Sequence, residues 1–224
     1  MTRRLCIVLT IVIGALTANA TTVDSNWVSA EPEVSTYRTI GDEGKEIYQV
    51  AILKDKASIE TYINIATPGF MKIISGSMTL DMVPLQSNGR ILVDGQVEIG
   101  TDTQYDGKKV HVVTVMKPTN QTMQADVAYS AQIVDFAQMP FLLRMLPLQK
   151  DAQFEFASLN PRSNAMGSLK AKVTGEGPVL NIDSYRVQCD DFEGATIYWV
   201  EKAAHHRILR IEQPAQHRTL ELIP

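Results

Sequence analysis

The sequence predicts a mainly β protein, a curved antiparallel sheet wrapped around one or two short apolar helices at about 130–147. Three observations carry this. Beyond Gly41 most of the chain falls into short alternating or apolar runs punctuated by turn residues, the pattern of strands. No helical crossover separates those runs, so neighbours in sequence pair antiparallel. One long stretch, Ser130–Leu148, reads as neither strand nor turn. Its second half, Phe141-Leu142-Leu143-Arg144-Met145-Leu146, is apolar on nearly every side and needs something to bury it.

The chain of 224 residues is 45% hydrophobic, enough for one good-sized core. Met1 to Ala20 reads as a secretory signal. Arg3 and Arg4 give the positive start, Leu5 to Leu16 the apolar run, and Ala18-Asn19-Ala20 a small-x-small cleavage site. The run is short for a membrane-spanning helix. Cleavage near Ala20 places the protein in the periplasm or outside the cell. It also removes two arginines and no acids, so the mature chain is more acidic than the net −4 of the whole. That balance argues against nucleic acid as a partner. Cys189 is then the one cysteine left, which forbids an internal disulfide. Its place in an alternating run reads as a buried thiol.

Residues 21–40 read as a leader, with Trp27 as an anchor, and 41–224 as a single β-rich domain. Glu46–Leu53 and Ala57–Ile65 are strands joined by a charged turn. In the second, Ala57, Ile59, Thr61, Ile63 and Ile65 face one way and Ser58, Glu60, Tyr62 and Asn64 the other. Phe70–Val83 is a strand region with Gly76 as its bulge or bend. Arg90–Ile99, Lys109–Met116 and Asn120–Tyr129 follow, with Asp-Gly turns at Asp94-Gly95 and Asp106-Gly107.

In the helical stretch Ser130 can cap the start, and Gln132, Asp135 and Gln138 form a polar stripe. Pro140 removes a hydrogen bond inside a helix but costs little at its first position. The expectation is two short helices, or one kinked at Met139-Pro140, with Pro147 as the stop. Then come Gln153–Ala157, Gly167–Gly175 ending in a Gly175-Glu176-Gly177-Pro178 turn, Leu180–Cys189, Thr196–Glu201, Arg207–Glu212 and Arg218–Ile223. Their even spacing is that of a meander.

Motifs for chemistry are sparse. His205-His206 sits at a turn and reads as solvated, since adjacent strand positions point apart and no further ligands have metal spacing. Asp190-Asp191-Phe192-Glu193-Gly194 lacks the spacing of a calcium loop and reads as a hairpin. No nucleophile elbow, phosphate loop or marked carboxylate pair is present. The expectation is a protein that is not an enzyme and uses no metal or cofactor. Arg144 stands out among Leu142, Leu143, Met145 and Leu146. Either it pairs with a core carboxylate or reaches the rim, or it meets an anionic head group at a cavity mouth.

The Phe141–Leu148 run, Tyr185-Arg186-Val187, Ile197-Tyr198-Trp199-Val200, His206-Arg207-Ile208-Leu209-Arg210-Ile211 and the final Leu220-Glu221-Leu222 resemble an exported bacterial family known as domain of unknown function 3108. The resemblance is clearest from about Tyr129 onward. It implies a β-rich half-barrel similar in shape to lipoprotein carriers and other envelope lipid-binding proteins, and it brings no catalytic residues. Tyr198 and Trp199 are adjacent on a strand, so one faces in and one out. The candidate ligand-binding residues are Arg144, Phe141, Met145, Trp199 and Tyr198. The expected partner is a lipid or other apolar ligand. The alternative is an envelope protein, with the chain acting as a structural or interaction module that has no small-molecule ligand.

Overall fold

A computed structural model describes residues 23–41, 46–129, 132–160, 165–191, 194–203 and 205–224. The signal at Met1–Ala20, the capping role of Ser130 and the Phe192-Glu193 pair lie outside them. The chain begins with a 3₁₀ turn at Ser25–Trp27, followed by β1 (Glu33–Thr39), β2 (Ile47–Lys54), β3 (Ser58–Thr67), β4 (Phe70–Thr79), β5 (Pro84–Val93), β6 (Gln96–Tyr105), β7 (Lys109–Met116) and β8 (Gln121–Ala128). A two-residue strand, β9 (Ile133–Val134), leads into a 3₁₀ turn at Phe136–Gln138 and the helix α1 (Met139–Met145). The rest is β10 (Gln153–Asn160), β11 (Ala165–Val179), β12 (Ile182–Asp191), β13 (Gly194–Glu201), β14 (Ile208–Gln213) and β15 (Arg218–Leu222).

The fifteen strands of the described residues form one sheet in the order β8-β7-β6-β5-β4-β3-β2-β1-β15-β14-β13-β12-β11-β10-β9. It is two meanders, β1–β8 and β9–β15, joined at the first and last strands. Tyr37 pairs with Leu222 and Thr39 with Leu220 across that join. The pairing is antiparallel except between β9 and β10. Among the described residues the two ends of the sheet are not hydrogen-bonded to each other. They meet through side chains, where Tyr105, Val110 and Val112 pack with Ile133 and Leu159. The result is a curled, barrel-like sheet, as the alternating sequence and its central helix foretold.

The alternation of β3 is realised residue by residue. Ile59, Thr61 and Ile63 are buried, while Glu60 and Tyr62 face solvent. Inside the curl lies α1, every residue of it buried. It packs in one continuous core with Tyr37, Val50 and Ile52 from one meander and Val187, Val200 and Leu209 from the other. Pro140 stands in the first turn of α1, where its missing N–H costs nothing. The stretch is therefore a 3₁₀ turn running straight into one helix.

Four readings are corrected. Glu33–Thr39, placed in a leader, is a strand at the middle of the sheet. Its alternation puts Glu33, Ser35 and Tyr37 inside and leaves Val34 exposed, so its inner face is too polar to stand out as a strand. Ile133-Val134, read as helix, pairs with Ala157 and Ser158. Gly76 is not the bulge, which falls between Ser77 and Met78. A Cβ on Gly76 would stand 2.8 Å from the Ala137 Cβ, so glycine lets the 3₁₀ turn lie directly on the sheet. Finally, β11 runs through Gly175-Glu176-Gly177-Pro178 to Val179. The turn is at Leu180 and Asn181, with φ of 52° and 61°.

Candidate functional site

Arg144 is the charged residue of α1, and its position follows from the helix. Six apolar neighbours hold α1 in the core and leave its last turn facing the β13–β14 connection and β1. There the guanidinium is 3% exposed as a residue and fully engaged. Nη1 and Nη2 donate to the two Glu33 carboxylate oxygens at 2.8 and 3.0 Å. Nε and Nη2 donate to the His205 carbonyl at 3.0 and 2.7 Å. Planar two-pronged pairing of this kind compensates a buried charge where a single contact would not.

Around it the chain forms a clamp. His206 donates from Nδ1 to the Arg144 carbonyl at 2.9 Å, one of the carbonyls that the helix end leaves unpaired. The His206 ring stacks on Trp27 with centroids 3.6 Å apart and planes 13° apart. Trp27 is thus an anchor, as its sequence position suggested. His206 is not solvated. It is 6% exposed because the connection turns through positive φ at His205 (94°) and His206 (44°), which aims the ring inward. Burial lowers its imidazole below the ordinary range; the hydrogen bond to the Arg144 carbonyl works the other way, and the nearby Arg144 charge lowers it further. Beside it Arg207 pairs with Glu201 through Nε at 2.8 Å and Nη2 at 3.2 Å. Burial alone would raise the Glu201 carboxyl, but the Arg207 guanidinium holds it below the usual range.

A cleft of about 390 Å³ lies outside this clamp, lined by Glu33, Val34, His205, Arg207, Ile223 and neighbours. Arg144 sits behind its wall. Phe141 and Met145 have no exposed surface and lie in the core, out of reach of a ligand in that cleft. Tyr198 faces the core and Trp199 the opposite side, where Nε1 donates to Glu212 at 2.7 Å and the ring lies over Gly177. The five candidate residues do not converge on one surface.

What sequence reasoning missed is on the inner face of the first meander. Direct cross-strand partners share a face. Tyr37 pairs with Tyr48, Tyr48 with Ile65, Ile65 with Lys72, Lys72 with Ile91, Ile91 with Ile99 and Ile99 with Met116. Tyr37 is core, so the whole row looks inward. Yet from Ile65 to Met116 it is only half-buried. The 3₁₀ turn at Phe136–Gln138 and the core around α1 cover the other end of β3 and β4, at Ile59, Ile63, Ile74 and Met78. No spacing in the sequence separates a covered inner residue from an uncovered one.

A second polar constellation is structural. Asp135 accepts the Ser87 hydroxyl at 2.7 Å and the Tyr105 hydroxyl through one oxygen, and the Ala137 N–H at 2.8 Å through the other. Gln138 donates to the Met82 carbonyl at 3.1 Å. Asp135 and Gln138 of the expected polar stripe are therefore turned to the sheet, where Asp135 ties the 3₁₀ turn to β5 and β6 and Gln138 ties it to the β4–β5 connection.

The model of the family described as "Protein of unknown function (DUF3108)" matches residues 36–221. The chain belongs to that family. The DUF3108 match takes in the first meander as well as the C-terminal motifs. Among solved structures, the DUF3108 domain is similar in fold to a beta-barrel-like protein of domain of unknown function DUF1849 from Brucella abortus, with TM-score 0.53 and 9% identity over 86% of this chain and 94% of that one. No curated protein matches.

Proposed function

We propose that the protein is an exported, non-enzymatic cell-envelope protein that binds a lipid or other apolar ligand on the inner face that α1 leaves uncovered. The observation that carries this is the half-buried inward-facing row that starts at Ile65, which packs against the core around the helix, and runs through Lys72 to Ile91, Ile99 and Met116 outside that core. Concave apolar surface with a few polar groups at its border is the usual form of a small-molecule site. Export rests on the signal read at Met1–Ala20. Phe141 and Met145 of α1 are not part of this surface, because every residue of α1 is buried.

A second reading is an envelope interaction module without a small-molecule ligand. It is favoured by the complete burial of α1, which makes the helix a plug for one end of the curl. Native mass spectrometry of protein purified from its own periplasm decides between them. A bound mass that organic solvent strips off supports the ligand reading. A clean unliganded mass, with no uptake of a fluorescent fatty acid, sinks it in favour of the second.

A further inference from the structure

Two buried side-chain atoms at one end of the barrel interior, Arg218 Nε and Gln213 Oε1, have no hydrogen-bond partner among the described residues. They are neighbours, since Gln213 and Arg218 are direct partners across β14 and β15. They face inward, each standing two residues from a core position, Ile211 and Leu220, that are themselves partners. One atom is a donor and the other an acceptor. The rest of the Arg218 guanidinium is neutralised, with Nη2 2.7 Å from Glu46 Oε1, while Glu46 Oε2 accepts the Thr39 hydroxyl at 3.2 Å. Tyr48 stands within electrostatic reach of both Arg218 and Glu46, and its direct partner on β3 is Ile65, at the edge of the core, from which the half-buried row runs on past Lys72 to Ile91 and Ile99.

We propose that Gln213 and Arg218 form the head-group subsite for a neutral amphiphile whose tail lies along Ile65, Ile91 and Ile99, an assignment that rests on the apolar-ligand reading above. The head must accept from Nε and donate to Oε1, so a hydroxyl or an N–H amide fits. A carboxylate does not fit, because it cannot donate and would stand beside Glu46. Buried polar atoms left unpaired are costly, so the ligand that pairs them gains selectivity over one that fills the same space without doing so.

The test is displacement of the apolar dye phenylnaphthylamine by dodecanol and by its methyl ether, which has the same chain but no donor. The wild type is expected to bind dodecanol about tenfold more tightly than the ether. The Gln213→Met variant is expected to lose that preference while keeping its affinity for the ether and its melting temperature. Equal affinity of the wild type for the two compounds overturns the subsite and leaves the apolar-ligand reading standing. It would mean that only water meets these atoms. A variant that loses both compounds equally also overturns it. If neither compound displaces the dye from the wild type, the apolar-ligand reading falls and the subsite with it.

Discussion

Arg144 and Glu33, 111 residues apart in sequence, meet as a two-pronged ion pair between the helix and the first strand, with N–O distances of 2.8 and 3.0 Å. The partners are unequally placed. The Arg144 side chain is 4% exposed and that of Glu33 22%. Losing Glu33 strands a charge that water cannot reach, whereas losing Arg144 leaves a carboxylate at the border of the cleft. Glu33→Ala is therefore expected to cost about 3–5 kcal/mol in urea unfolding. Arg144→Met should cost less, and the double substitution less than Glu33→Ala alone. Equal single-mutant losses would contradict this asymmetry.

Gly76 sets a second prediction. With its would-be Cβ 2.8 Å from Ala137 Cβ and 3.3 Å from Thr61 Oγ1, Gly76→Ala must push the 3₁₀ turn off the sheet. Overpacking of this kind costs about 1–3 kcal/mol. Adding Ala137→Gly removes the clash, so the pair should recover most of the stability that Gly76→Ala loses. Thermal or urea melts of the three variants measure it.

The clamp weakens in acid. The folded state lowers the His206 imidazole below its ordinary value, so the unfolded chain binds the proton more readily. Its contribution is whole above about 6.5 and is lost as pH falls through the lowered folded value. Glu201 is also lowered, so its contribution is whole above about 4.5 and drains away below that. Melting temperature should thus fall in two steps on acidification. His206→Asn should remove the upper step and leave the lower one. An unchanged upper step would assign it to another group.

Cys189 is 2% exposed, and burial raises its thiol well above the ordinary range, with Asp191 and Asp190 adding to the effect. Thiolate is the reactive form. In a Cys6→Ser protein, a thiol reagent should modify Cys189 only at the rate of unfolding. Fast labelling of the folded protein would disprove the burial.

Much of the fold was legible because it follows from period. The two-residue alternation of β3 and β7, and the all-round apolar run of α1, can bury their side chains in few other ways. What was not legible depends on partners distant in sequence. The β1 strand looks like leader until Leu220 and Leu222 are set beside it. The Gly175–Pro178 segment looks like a turn until β12 pairs with it and the Trp199 ring covers Gly177. His206 looks solvated until the positive φ at His205 turns it toward Trp27. The candidate site suffered likewise. Arg144 was conspicuous for its type, yet Glu33 and His205 satisfy it. The row at Ile91, Ile99 and Met116 resembles any other inward-facing residues, because coverage by the central core belongs to the assembled sheet.

The join between β1 and β15 also governs how the molecule is made. Synthesis runs from one side of this seam to the other, and the strand that seals it is made after the fourteen others described. Until β15 arrives, β1 has only β2 beside it, and its other edge is open for the whole time that β2 to β14 are being added. Pairing across such a separation is slow. The nascent protein therefore carries an unsealed edge through most of its biogenesis, at the place where the finished sheet has its centre.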